Sequence, residues 1–289
     1  MDLLTFSHFS FLTSPYESCQ KNSCTALCRL TTLEENQVST FSHGGLRLLI
    51  QLSTSSNRDI SLTAIMVLCN LATCAGYQIK FVEDNGLPTL RALLSSEHSL
   101  SRKNAIMLFC NLTSNSDAQD HVARQVNFSQ LFELMNDTSL ECKAFATMTL
   151  CNLASKEMHG CSLLDAGGME PLVRLLSGTI SLGQVNIQRA TLLTLYNLAT
   201  CEASHDLLST VMQPIVTSCR SSDVLCRRFA LMILASVACS ERTRAEATKA
   251  RPTGAAPLRL SLLCFLSSHC NFVCPLAHRV VVYRLQYYH

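Results

Sequence analysis

The amino-acid sequence predicts an all-α fold built as a linear array of helical repeats. A five-residue motif that ends in Asn-Leu-Ala or Asn-Leu-Thr occurs four times, and its asparagines follow one another at 41, 41 and 45 residues. A repeat of this length is typical of two- or three-helix solenoid units. Apolar residues between the motifs recur at helical rather than strand spacing. The asparagines of the motif are Asn70, Asn111, Asn152 and Asn197.

We divide residues 23–240 into one partial repeat and five full ones. The predicted boundaries are 23–33 for the partial repeat, then 34–74, 75–115, 116–156, 157–201 and 202–240. Each full repeat is predicted to contain a short first helix, a second helix opened by glycine and a longer third helix that ends in the asparagine motif. The fourth repeat is the long one, and we place its extra residues in a loop at 177–184, between its second and third helices.

Glycine-type turns precede the second helices. We predict that Gly86 and Gly168 supply the backbone freedom that these turns need. In the third repeat Asn127 stands at the glycine position, so the turn is less well specified there, although asparagine tolerates the left-handed conformation better than most residues.

The two ends of the chain differ from the array. Residues 1–22 do not follow the repeat, and we expect an irregular segment there. Residues 247–289 contain no Asp or Glu, and we expect 241–289 to be a poorly ordered tail. Its candidate metal ligands, Cys264, Cys270, Cys274 and His278, contain one closely spaced cysteine pair, Cys270 and Cys274, but not the two spaced pairs of a zinc site, so no metal is predicted.

Composition limits the function classes. The formal net charge is +2 with no long charged run, which does not favour nucleic acid or an anionic membrane as partner. Cys69, Cys110 and Cys151 occupy one position in three repeats, where a free thiol serves as a small buried hydrophobe, so a reducing, cytoplasmic or nucleocytoplasmic location is expected. No phosphate loop, nucleophile elbow or metalloprotease motif is present. The prediction is therefore a non-enzyme without cofactor, with His159 as a solvated surface residue.

The glycine-opened second helix and the Asn-Leu-Ala third helix, kept in step over residues 24–240, resemble the armadillo repeat. The HEAT repeat has a similar length but lacks this pairing of signatures. The resemblance implies a right-handed α-solenoid of three-helix repeats whose third helices line a concave groove for a partner protein. It does not single out one member of the family.

The resemblance also implies which side chains face the groove. The repeated asparagines Asn70, Asn111, Asn152 and Asn197 would face a bound chain, because an amide can both donate to and accept from the main chain of an extended peptide. Alternatively, they tie helix ends together within the array. One turn earlier stand Met66, Met107, Met148 and Leu193, which form either an adaptable apolar strip or ordinary core.

A third row of candidate groove residues is basic. Lys103, Arg189 and Arg228 come near the start of third helices, where positive charge is unfavourable to the helix dipole. Their recurrence favours an acidic ligand, and the alternative is a solvated face. The whole chain contains no Trp, whereas importin-α-like arrays carry Trp at the methionine positions, so recognition of basic nuclear-localisation peptides is not favoured.

The sequence thus predicts a non-enzymatic scaffold or adaptor that binds a protein segment, extended or amphipathic, with acidic and apolar residues. No small-molecule substrate is expected. A nuclear-transport adaptor is an alternative and would need aromatic groove residues. A membrane-tethered adaptor of the vacuolar type would need lipidation, for which Cys19, Cys24 and Cys28 are the candidates. A nucleic-acid binder would need a continuous basic stripe.

Overall fold

The regular structure of the chain is helical. A computed structural model describes residues 10–37, 45–177, 184–201, 204, 207–208 and 211–239, and within them no strand is present. The helices are α1 (Glu17–Leu30), α2 (Gly45–Leu52), α3 (Arg58–Leu71), α4 (Ala75–Glu83), α5 (Gly86–Leu94), α6 (Ser99–Thr113), α7 (Ser116–Gln125), α8 (Phe128–Leu134), α9 (Leu140–Ala154), α10 (Glu157–Asp165), α11 (Met169–Ser177), α12 (Val185–Leu198), α13 (Met212–Ser218) and α14 (Val224–Cys239). None of them is long and apolar enough to cross a membrane.

The chain divides into two units, residues 1–149 and 150–289, with the boundary inside α9. In the first unit the third helices form the core, since α1 packs on α3 and α3 packs on α6, while the second helices α2 and α5 pack on α3 and α6. The second unit has the same order of layers, with α12 packed on α14, α11 on α12, and α13 on α14. Helices α3, α6, α12 and α14 are thus each packed against their own second helix and against a neighbouring third helix.

Helix α3 illustrates why the third helices form. Asn57 caps its N-terminus, because the Asn57 side chain accepts hydrogen bonds from the backbone N–H groups of residues 59 and 60. Ile60, Ala64, Leu68 and Leu71 recur at helical spacing and are at most 1% exposed. Burying each of the larger side chains contributes about 1.5–3 kcal/mol, so the apolar stripe fixes the helix against its neighbours.

A hydroxyl group closes the end of each third helix that carries the asparagine motif. The residue three positions after each asparagine is Ser or Thr, and its hydroxyl donates to the main-chain carbonyl of that asparagine at 2.6–2.8 Å. The backbone N–H of the same Ser or Thr also donates to that carbonyl, at 3.2–3.4 Å, so one residue supplies two donors to the carbonyl at the helix end. The four hydroxyl residues are Thr73, Ser114, Ser155 and Thr200.

The start of α1 corrects the predicted N-terminal boundary. The sequence indicated an irregular segment up to residue 22, but α1 begins at Glu17. Its first turns carry polar, mostly exposed side chains, so they show no apolar period. They are fixed by contacts with the next third helix: Asn57 Nδ2 donates to Glu17 Oε2 at 2.7 Å, and Lys21 forms an ion pair with Asp59. Those partners are about forty residues away in the sequence and leave no local signal.

The left-handed residue at the second-helix turns is one position earlier than predicted. Asn85 has φ 58° and Gly167 has φ 82°. Gly86 and Gly168 are required for a different reason, namely space. A Cβ at Gly86 would lie 2.5 Å from the ring of Phe81, and one at Gly168 would meet a leucine side chain of α10 at the same distance. The two glycines therefore permit a close approach of first and second helices.

The third repeat makes this turn without a left-handed residue. Asn127 is extended, with φ −102° and ψ 101°, and its side chain accepts from the backbone N–H of Gln130 to cap α8. Helix α7 has already ended at Gln125, so an extended connection replaces the tight glycine turn. Asparagine thus acts here as a helix cap.

Some predictions fall outside the described residues. These are the order of the 241–289 tail, the cysteine and histidine set within it, the first nine residues, and the extra residues of the fourth repeat at 178–183. The helices on either side of that last segment end at Ser177 and begin at Val185.

Candidate functional site

Three of the motif asparagines link their third helix to the third helix before it. Asn70 Nδ2 donates to the carbonyl of Cys28 at 3.1 Å, and Asn111 Nδ2 donates to the carbonyl of Cys69 at 3.3 Å. In the second unit, Asn197 Nδ2 donates in the same way to the carbonyl of Cys151 at 3.2 Å. For the amide donors, the structural alternative left open by the sequence therefore holds.

The amide oxygens are not used in the same way. No described residue donates to Oδ1 of Asn70, Asn111 or Asn197. Among the described residues, the buried side-chain nitrogen or oxygen atom without a hydrogen bond is Tyr77 Oη, so these three amide oxygens reach solvent. Each amide is thus held by its donor end and leaves an acceptor open. Asn152 is also half-buried, at the corresponding position of α9.

The apolar row lies one helical turn before the asparagines and is partly open. Met66 is 44% exposed. Met107, Met148 and Leu193 are half-buried. Because residues four apart lie on the same face of a helix, these side chains flank the asparagines on the third helices.

The basic row is smaller than the sequence indicated, because Arg189 is already paired. Its Nε donates to Asp223 Oδ1 at 3.0 Å, and the hydrogen bond from Arg189 holds the pKa of Asp223 well below its usual range. Asp223 also caps α14 by accepting from the backbone N–H of Cys226 at 2.9 Å. Arg189 therefore links two third helices and is not free to neutralise a ligand.

The same link recurs in the first unit, where Arg102 donates to Asp137 at 2.9 Å. Of the predicted basic row, Lys103 and Arg228 remain available to a ligand. Lys103 is half-buried and Arg228 is exposed, and no described residue forms a hydrogen bond or salt bridge with either. A ligand carboxylate could still reach each of them.

The cysteine motif behaves as predicted. Cys69, Cys110 and Cys151 form no disulfide bond and are 2%, 4% and 8% exposed, and burial raises the pKa of Cys151 to about 12. Of the candidate lipidation sites, Cys24 is completely buried, and burial raises its pKa to about 11. A buried thiol with such a pKa is a poor nucleophile. Cys24 is therefore unsuited to acylation in the folded chain.

His159 corrects another prediction. It was expected on the surface but is 4% exposed. It lies in α10 near the position that Gln78 and Gln119 occupy in earlier first helices, and both of those glutamines are buried. Gln78 Nε2 donates to the carbonyls of Ala72 and Asn111 at 2.7 and 2.9 Å. Gln78 and Gln119 each follow a motif asparagine by eight residues, whereas His159 follows Asn152 by seven. A polar residue near this position of the first helix was the signal of burial that the sequence prediction did not use.

No group of three or more potential ligand residues is placed to hold a metal ion in the described part of the chain. The arrangement described above offers amide acceptors beside apolar side chains.

Solved structures share this fold, whereas the sequence matches no protein-family model and no curated protein. An engineered protein is similar over 81% of this chain and 96% of its own, with a TM-score of 0.74 and 23% identity. A designed armadillo repeat protein is similar over 80% and 98%, with a TM-score of 0.74 and 19% identity. A second design, in complex with the peptide (KR)4, has the same coverage, TM-score and identity.

These matches define the chain as an α-helical repeat protein. Its fold is the armadillo-type solenoid of three-helix repeats, as the sequence predicted.

Proposed function

We propose that the chain is a non-enzymatic protein-binding scaffold that binds an extended partner segment on the asparagine face, which we define as Met66, Asn70, Met107 and Asn111. The observation that carries this proposal is that the nitrogen and the oxygen of each side-chain amide have different roles. Each Nδ2 is bound to the preceding repeat, and each Oδ1 is open. The proposal extends to this chain the peptide binding named for one similar design.

Because Nδ2 of the asparagine is already hydrogen-bonded, Oδ1 is held in position to accept a hydrogen bond from a ligand. Its orientation is already set before a ligand arrives, so less side-chain freedom is lost on binding. The open oxygen can accept from a main-chain N–H of an extended segment. Each such bond contributes about 0.5–1.5 kcal/mol, whatever the side chain of the ligand residue. The asparagines therefore supply affinity without demanding one ligand sequence.

Selectivity would come from the neighbouring side chains. Met66 and Met107 are partly open, and methionine adapts to apolar groups of varied shape. Lys103, near the start of α6, adds a positive charge. The favoured ligand is thus an extended segment that carries apolar residues with an acidic residue among them. It differs in charge from (KR)4.

The proposal is tested with the full chain and a displayed library of random peptides. Selected peptides should be enriched in Leu, Met or Phe together with Asp or Glu, and should bind more tightly than (KR)4 in fluorescence anisotropy. Lys103→Glu should weaken binding, less so at high salt because the charges are screened.

The matched control is Asn136→Ala, which removes an exposed amide in the turn after α8 that donates back to the carbonyl of Phe132. Asn111→Ala should weaken binding of the selected peptide, and Asn136→Ala should not. Enrichment of Lys and Arg would overturn the proposed charge preference. Equal affinity of wild type and Asn111→Ala, measured per folded molecule, would remove the asparagine face as the site.

A further inference from the structure

Two free thiols meet in the second unit. Cys161 Sγ lies 3.2 Å from Cys201 Sγ. Cys161 belongs to α10, and Cys201 follows the end of α12. The sulfur atoms of other cysteines are placed differently, since Cys69 donates to a carbonyl oxygen at 3.2 Å and Cys226 to an amide oxygen at 3.4 Å. A contact between two sulfur atoms therefore calls for a separate explanation.

The pair is arranged for bond formation between its two members. Reacting atoms about 3–3.5 Å apart are in a near-attack arrangement. Cys161 is half-buried, so a small reagent can reach its sulfur, whereas Cys201 is only 6% exposed. The more accessible thiol is suited to react first, and the buried one then lies beside the product of that reaction.

We propose that Cys161 and Cys201 form a thiol–disulfide exchange site that accepts a small disulfide, of the oxidised glutathione type, and becomes an intrachain disulfide. Cys161 loses its proton, and its thiolate attacks one sulfur of the reagent. The reagent S–S bond breaks, a mixed disulfide forms on Cys161, and the first thiolate leaves and is protonated. Cys201 then loses its proton and attacks Cys161 Sγ, which expels the second thiolate. Two protein thiols are oxidised, and one disulfide is reduced to two thiols.

The surroundings of Cys161 set the conditions of the reaction. The hydrogen bond with Cys201 raises the pKa of the Cys161 thiol, and partial burial and the carboxylates Glu157 and Asp165 add to that rise. Because the thiolate is the nucleophile, exchange should be slow at neutral pH and faster in mildly alkaline buffer. The proximity of Cys201 accelerates the second step. Cys201 should therefore attack the mixed disulfide on Cys161 faster than the released thiol reverses the first step.

The product would tie the first helix of the fourth repeat to the last residue of the same repeat, just after α12. The two cysteines are 40 residues apart, and a bond that closes such a loop restricts the unfolded chain. The oxidised protein should therefore melt at a higher temperature than the reduced one. This inference does not depend on the proposed partner site.

The test uses the full chain in glutathione buffers of varied oxidised-to-reduced ratio, followed by alkylation and peptide mapping by mass spectrometry. The expected product is a linked peptide pair containing Cys161 and Cys201, with loss of two hydrogens and a raised melting temperature. Cys201→Ser should stop at the glutathione adduct on Cys161, and Cys161→Ser should give neither product. Cys219→Ser is the control and should leave the linked pair intact.

The result for the wild-type chain tests the proposed disulfide even if a variant folds poorly. Absence of the Cys161–Cys201 peptide at every glutathione ratio would overturn the proposal. A linked pair no more abundant than other cysteine pairs, as in a urea-unfolded control, would overturn it as well.

Discussion

Replacing Asn111 and Asn197 by alanine should destabilise the array by a predictable amount. Each change removes one donor to a main-chain carbonyl, at 3.3 Å for Asn111 and 3.2 Å for Asn197. A hydrogen bond contributes about 0.5–1.5 kcal/mol net, and these long bonds between half-buried groups belong to the lower part of that range. The two sites share no partner, so their costs should add. The double variant should lose about 1–2 kcal/mol.

Urea and thermal unfolding, followed by far-ultraviolet circular dichroism, measure this loss. For a chain of this size, about 1 kcal/mol corresponds to a shift in Tm of roughly 2–4 °C. The control is Asn136→Ala, whose exposed amide lies in the turn after α8 and donates to the carbonyl of Phe132. We expect that control to stay within about 0.5 kcal/mol of the wild type, as surface substitutions usually do.

A double variant as stable as the wild type would refute the reasoning, because the amide donors would then contribute nothing to the array. A third substitution separates the two ends of the amide. Asn111→Asp keeps an oxygen acceptor but loses the donor, so it should be destabilised like Asn111→Ala while retaining more affinity for a selected peptide. Equal loss of affinity in both variants would contradict a role for the open oxygen.

Three further changes test other features of the fold. Gly86→Ala should cost about 1–3 kcal/mol through overpacking against an aromatic ring, whereas Gly76→Ala, with no atom near its Cβ, should be neutral or stabilising; equal melting temperatures would contradict the close approach. Tyr77→Phe removes a buried hydroxyl without a hydrogen-bond partner and should leave stability unchanged or raise it by up to about 1 kcal/mol, whereas a clear loss in urea unfolding would mean that this hydroxyl is satisfied. The hydrogen bond from Arg189 is the main cause of the lowered pKa of Asp223 in the folded protein. The ionised Asp223 carboxylate therefore stabilises the fold above its unfolded pKa of about 4, and this stabilisation is lost as the pH falls from there towards the folded pKa. Asp223→Asn should remove that part of the acid sensitivity of unfolding, and an unchanged pH profile would count against the ion pair.

The order of helices could be predicted because their signals are local. The asparagine motif, the apolar spacing within each third helix and the turn residues before each second helix all lie within one repeat. The motif cysteines are another example, since a small apolar residue at a fixed position of an apolar helix indicates burial. Such patterns depend on the helix period alone, and the structure agrees with them.

The errors concern contacts between repeats. Arg189 has the same charge whether a ligand or Asp223 neutralises it, and the sequence does not say which carboxylate is near. The first turns of α1 have no apolar period, yet they are held by Asn57 and Asp59 of the next third helix. His159 was assigned to the surface because the sequence shows no partner for it, yet its side chain is buried. For Arg189 and for the first turns of α1, the deciding partner is about a repeat away.

At the second-helix turns the residue type was identified but not its reason. Both Gly86 and Gly167 stand in the predicted turns, but only Gly167 is left-handed, and Asn85 takes that role in its own repeat. Glycine is selected for freedom at one position and for lack of volume at the next. A pair of adjacent turn residues does not reveal which member has which task.

The bonds from Asn70, Asn111 and Asn197 to main-chain carbonyls have a consequence for how such an array can change over generations. The acceptor is present in every residue type, so the link does not require a matching substitution in the preceding repeat. A repeat duplicated or deleted as a whole would meet a carbonyl at the new junction and could form the same bond. The Arg102–Asp137 and Arg189–Asp223 pairs lack this property, because each needs its particular partner. Repeats joined by the asparagine alone should therefore be gained and lost more easily than those also joined by an ion pair.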